Sequence, residues 1–119
     1  KQENILETSK ANIFYIIKNK LYYPSSRLNI LNGLTRQSVI DFLHENKGYL
    51  ELEEINEVED KYHVLLNADE IFITSTSVGI QKVKTINNRI LCSKITNEII
   101  KRFEKYKFEK LNWIYKIYE

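Results

Sequence analysis

The stretch Ala68–Val83, ADEIFITSTSVGIQKV, constrains this chain more than any other. An acidic pair leads into a short β run, Glu70–Thr74, that reads as a buried strand, and a second β run follows. Four hydroxyl residues, Thr74, Ser75, Thr76 and Ser77, stand at the end of the first run and just beyond it. Hydroxyls and free backbone N–H groups at a strand end are what a protein uses to hold an anion, most often a phosphate. The plain alternative is that Ser and Thr suit strands and their ends. Which of the two applies depends on what else the chain brings near.

The remaining strands are short. Ile13–Ile17 (IFYII) and Leu21–Tyr23 flank a turn-like KNK and predict a hairpin. PSSRLNILNG, ending at Gly33, is the densest breaker cluster and predicts a loop crossing the surface of a site. Thr35 is the candidate N-cap of a helix that puts Val39, Phe42 and Leu43 on one face, Asp41 and Glu45 on the other, and stops at Gly48. Tyr49–Ile55 (YLELEEI) alternates apolar with acidic residues, the period of a strand with one wet face. A short helix over KYHVLLNA follows, then strands over Glu70–Thr74, Gly79–Ile86 and Arg89–Cys92, the last after an Asn-Asn turn. From about Ser93 a final helix lines up Ile95, Ile99 and Phe103, a face that Tyr106, Leu111, Ile114 and Ile117 extend. The predicted fold class is α+β, or α/β with a mixed sheet, in one domain over residues 1–119.

Composition excludes more than it selects. With 43% hydrophobic and 29% charged residues the chain is an ordinary globular domain, and its net charge of +2 is too weak to imply nucleic acid or a membrane surface as partner. No stretch has the length of a membrane span or the core of a signal peptide, so a soluble, cytoplasmic protein is expected. Cys92 stands alone, excluding an internal disulfide, and reads as a small core residue. His44 and His63 have no second ligand type at metal spacing, and the acidic ELEE and EVED read as a solvated strand face and turn; no metal is assigned. The chain opens on KQENILE and contains no methionine, which is expected of a piece of a longer protein. Its tail, KRFEKYKFEKLNWIYKIYE, interleaves lysines with aromatics as a nucleic-acid or partner-binding surface would, but Glu104, Glu109 and Glu119 argue for an amphipathic helix packed on its own domain. A non-enzymatic binding module is therefore the more distant alternative.

Two further elements bear on the anion reading. NGLTRQS, Asn32–Ser38, runs a glycine loop into a helix start, exposing the N–H groups of Leu34, Thr35 and Arg36 with the positive end of the helix dipole behind them. Its plain reading is a turn glycine and an ordinary cap. ETSKANIF places Glu7 just before a buried strand, where a carboxylate either contacts a cationic ring nitrogen or is a solvated loop acid.

Taken in order, Glu7-x-x-x-Ala11-Asn12-Ile13-Phe14, Leu31–Arg36 (LNGLTR) and Ala68–Thr76 (ADEIFITST) resemble the motifs of the class IV aminotransferases. That family includes branched-chain and D-amino-acid transaminases and 4-amino-4-deoxychorismate lyase, all dependent on pyridoxal 5′-phosphate (PLP). The resemblance reaches Phe103. It implies that Leu34, Thr35, Ser75, Thr76 and Ser77 hold the cofactor phosphate and that Glu7 binds the pyridine nitrogen and keeps it protonated. The family's cofactor-linked lysine lies well upstream of that glutamate, and only six residues precede Glu7 here. The chain is thus expected to be the C-terminal domain, partnered by its own N-terminal domain in a homodimeric enzyme that acts on a small amino-group donor, and to be inactive alone.

Departures from the motifs bear on the branch of the family. Transaminase motifs usually continue with an acid and a proline-valine pair, then a glycine-rich loop. Here Gly79 replaces the acid, Lys82 replaces the proline, and NNRILCSKIT has no glycine. The short link from Arg89 to Thr96 is closer to the lyases of the folate pathway, whereas ITSTS is closer to the D-amino-acid transaminases. The lyase is the preferred expectation, with a class IV transaminase as the alternative.

Overall fold

A computed structural model describes residues 12–25, 34–59, 62–75 and 79–118, and the side chains of 13–25, 36–59, 64–74 and 79–109. Strands β1 (Asn12–Ile17), β2 (Lys20–Pro24), β3 (Glu54–Val58), β4 (Glu70–Ser75) and β5 (Gly79–Lys82) form one sheet in the order β3-β2-β1-β4-β5. All neighbours are antiparallel except β2 and β3, so the sheet is mixed, as expected. Helices α1 (Leu34–Glu45) and α2 (Lys94–Tyr118) pack on one face. Strands β6 (Thr85–Ile86) and β7 (Arg89–Ile90) make a separate ribbon, and Tyr62–Asn67 is a 3-10 helix.

The β1–β2 hairpin turns on Lys18 and Asn19, both in the left-handed region (φ 50° and 65°), and Asn87 and Asn88 do the same for β6–β7 (φ 47° and 66°). Paired left-handed residues match the twist of a two-residue hairpin, and asparagine tolerates them. The central strands are apolar on both faces because both are covered. Phe14, Ile16, Leu21, Tyr23 and Phe72 meet Val39, Phe42 and Leu43 of α1 and Ile99 and Phe103 of α2. On the opposite face Ile13, Tyr15 and Ile71 cluster with Leu65, Ala68 and Leu91. Burial of these side chains contributes roughly 1.5–3 kcal/mol each against the entropy of ordering the chain.

Four local expectations are corrected. The predicted strand Tyr49–Ile55 is instead a turn followed by β3, because Leu50 and Leu52 tuck into the helix-side core while Glu51 takes φ 59°. Gly79–Ile86 divides between two sheets. The first helix ends at Glu45, before Gly48, and begins at Leu34, which places Thr35 inside its first turn rather than at its cap. Cys92 is exposed, not in the core: it sits on the link into α2, where its N–H donates to the Asp69 carbonyl at 3.0 Å. His44 is exposed, and the side chains of His63, Leu111, Ile114 and Ile117 lie outside the described residues.

Candidate cofactor-phosphate site

Antiparallel pairing brings the start of β1, the end of β4 and the start of β5 to one end of the sheet. Asn12 lies opposite Thr74, Thr74 opposite Ile80, and Ser75 opposite Gly79. The end of β2 lies there too, since Tyr15 pairs with Tyr22 and β2 runs on to Pro24. We call this end the mouth.

The first turn of α1 is fastened to the mouth by Arg36. Its Nη2 donates to the Pro24 carbonyl at 2.8 Å in a buried setting, and its guanidinium lies 5.3 Å from the centroid of the Tyr23 ring. A planar guanidinium both bonds and stacks, which a lysine ammonium could not do. Burial and the nearby Glu57 carboxylate hold the Tyr23 phenol above its ordinary range, with Arg36 pulling the other way. The anchor fixes where the first-turn N–H groups, which no carbonyl within the helix takes, must lie. The first turn contains no acidic residue to occupy them.

Strand β4 carries the second part. Side chains alternate across a sheet, so Thr74 shares the helix-facing side with Phe72 and Glu70. Thr74 is fully buried (0% exposed), and among the described residues its Oγ1 has no hydrogen-bond partner. From the other helix, Lys107 places its ammonium 3.9 Å from where a Cβ on Gly79 would lie, 4.0 Å from Glu104 Oε2 and 6.0 Å from the Phe103 ring centroid. An anchored helix start, a buried hydroxyl without a partner and a lysine thus converge on one end of the sheet, a donor set that fits a phosphate.

Of the sequence-predicted site residues, the structure brings the backbone of Leu34 and Thr35 (in α1) and of Ser75 (last in β4) to this mouth. Glu7, Thr76 and Ser77 lie outside the described residues. Sequence reasoning named Thr74 only among the four hydroxyls and Arg36 only for its N–H, and missed the Arg36 anchor, Lys107 and the capping role of Glu70. Only Arg36 had a local signal, as a basic residue in a first turn where dipole logic disfavours it. Glu70 is 3% exposed and accepts from the N–H groups of Ile95 (3.0 Å) and Thr96 (2.7 Å), so it caps α2. Its neighbour Asp69 accepts from the Lys18 N–H at 2.8 Å in the hairpin turn. The acidic pair is structural at both positions. Among the described residues no His, Cys, Asp and Glu cluster could hold a metal ion, and no helix is long and apolar enough to cross a membrane.

Known proteins resemble this chain over most of its length. The chain is 35% identical over 97% of its length to a provisionally named branched-chain-amino-acid aminotransferase of Methanocaldococcus jannaschii, and spans 38% of that protein. Among solved structures it resembles a Brucella abortus aminotransferase bound to the cofactor PLP (TM-score 0.75, 26% identity, 87% of this chain and 36% of that one). It also resembles a Legionella pneumophila protein provisionally named 4-amino-4-deoxychorismate lyase (TM-score 0.68, 28% identity, 80% of this chain and 34% of that one). The chain therefore spans little more than a third of each of these three proteins. The family model described as amino-transferase class IV matches residues 1–86 of the 119, and this chain belongs to that family.

Proposed function

We propose that this chain is the C-terminal, cofactor-phosphate-binding part of a PLP-dependent aminotransferase, whose cofactor-linked lysine and site-closing domain lie upstream. The observation that carries the reading is the mouth itself: α1's first turn, held by Arg36 on Pro24, faces the hydroxyl-bearing end of β4 in a chain of this family. When bound, the cofactor supplies an electron sink for chemistry at a substrate amine. Leu34 and Thr35 offer N–H groups, and Thr35, Ser75, Thr76 and Ser77 offer hydroxyls, to its phosphate. Glu7 keeps a proton at the ring nitrogen. Together they position the ring and set its charge.

The departures that favour a lyase have local backbone explanations. Gly79 has φ 80°, a conformation that glycine adopts at no steric cost and an acidic residue does not, so its replacement of the acid is first a backbone requirement. The glycine-free link is ordered by its Asn-Asn turn, by Leu91 N–H donating to the Lys84 carbonyl at 2.9 Å and by Cys92 on Asp69. With these explained, similarity over 97% of the chain to a provisionally named aminotransferase, and over 75% to a D-alanine aminotransferase, favours amino-group transfer. The lyase is the second reading, supported by the Legionella structure.

The test is made on the full-length enzyme. Glutamate should form from 2-oxoglutarate with a branched-chain or D-amino acid donor, in proportion to keto acid released. Pyruvate and 4-aminobenzoate formed in equal amounts from aminodeoxychorismate, without any keto-acid acceptor and with no transamination, would replace this reading with the lyase.

A further inference from the structure

We infer that Thr74, immediately before the expected phosphate residues Ser75, Thr76 and Ser77, is itself a phosphate ligand: its hydroxyl donates to an oxygen of the anion held against the first turn of α1. This rests on the mouth being the cofactor-phosphate seat. Tyr23, Phe14 and Phe72 form a row of rings across β2, β1 and β4 on the helix-facing side, with centroids 5.7 and 4.9 Å apart. Thr74 is the next β4 residue on that same side, at the last row before the strand ends, and α1 packs against β4. The Arg36 anchor draws the first turn of α1 over the Tyr23 end of that row.

A fully buried hydroxyl without a partner is costly, and native chains rarely leave one. The described residues contain a second such hydroxyl, on Thr96, but it stands in the first turn of α2, where the Glu70 carboxylate already occupies the helix end. At Thr74 the neighbouring helix start carries no acid. An anion supplies both deficits together, accepting from the hydroxyl and from the helix N–H groups.

Full-length apoenzyme carrying T74V, T74S or T76A should be titrated with PLP and with pyridoxal, which lacks the phosphate, and melted without ligand. Valine keeps the shape and removes the hydroxyl. T74V is expected to melt at or above the wild-type temperature, to bind PLP about 10- to 100-fold more weakly, and to bind pyridoxal as the wild type does. T74S restores PLP binding. The inference is overturned if T74V loses apoprotein stability or fails to fold, which would mean the hydroxyl serves a protein partner, or if its preference for PLP over pyridoxal stays at the wild-type value. T76A separates the two levels: if T76A loses that preference while T74V retains it, the seat stands and Thr74 is no part of it. If wild type shows no preference for PLP over pyridoxal, the seat itself fails and Thr74 with it.

Discussion

The two helices that cover the sheet begin at opposite ends of it, and their first turns are treated differently. The α2 start is closed from within: Glu70, at the near end of β4, accepts from two of its N–H groups. The α1 start has no acid in its first turn and is held instead by a cation, Arg36, bound to a backbone carbonyl. One strand thus carries a buried carboxylate at one end and a buried hydroxyl at the other. A carboxylate completes a helix end and leaves nothing for a ligand, whereas a neutral hydroxyl beside an open helix end leaves room for an external negative charge. On the proposed reading, the contrast separates a structural helix start from a binding one.

The comparison is broken most forcefully at the open end. In the full-length enzyme, Glu7→Gln is expected to retain PLP while kcat falls by roughly 10²–10³, since an amide cannot hold the ring-nitrogen proton as a carboxylate does. Stopped-flow and steady-state kinetics on PLP-saturated protein check it, and near wild-type turnover would leave Glu7 a loop acid.

At the closed end the effect is on stability. Glu70→Ala strips two buried N–H groups of a charged acceptor and should cost about 2–4 kcal/mol in urea unfolding. Glu70→Gln, keeping one carbonyl acceptor, should cost less. Equal stability of all three would mean that the carboxylate is not what closes α2.

Back at the mouth, Thr35→Ala and Thr76→Ala should each weaken PLP by about 10- to 100-fold, with the folded baseline unchanged. Unaltered cofactor affinity in both variants would remove the phosphate from this end of the sheet. The smallest effect belongs to Lys107, which is half exposed and shares its charge with Glu104. Lys107→Ala should lower PLP affinity by about twofold at low salt and by nothing measurable at ~0.5 M salt, because exposed charges are screened. A large, salt-independent loss would make Lys107 a direct ligand.

Much of the fold was legible in short-range pattern. The hairpin at Lys18-Asn19, the β4 run, the 3-10 segment and the α2 stripe of Ile95, Ile99 and Phe103 all follow from apolar spacing bounded by turn residues. The misread regions are those where a tertiary contact outweighs local period. YLELEEI alternates like a strand, yet Leu50 and Leu52 are buried by a turn beneath the helices and pairing begins only at Glu54, where β2 offers a parallel edge. Cys92 looked like a core residue by type, but the link into α2 runs over the surface there. In the site, the anion reading of the β4 end and of the α1 start came from residue chemistry alone. Their meeting could not, because strand pairing and the Arg36–Pro24 bond join segments that are far apart in the chain.

What the amino-acid sequence determined by itself is most of the strands and helices, and which hydroxyls and N–H groups stand at their ends, since those depend largely on periodicity and on neighbours within a few residues. The tertiary structure alone decided what each polar end group meets. Glu70 became a cap because α2 begins above it, and Thr74 stayed without a partner because none of the described residues offers one. Burial sets that distinction: a polar group withdrawn from water must be completed by whatever the fold, or a ligand, brings to it.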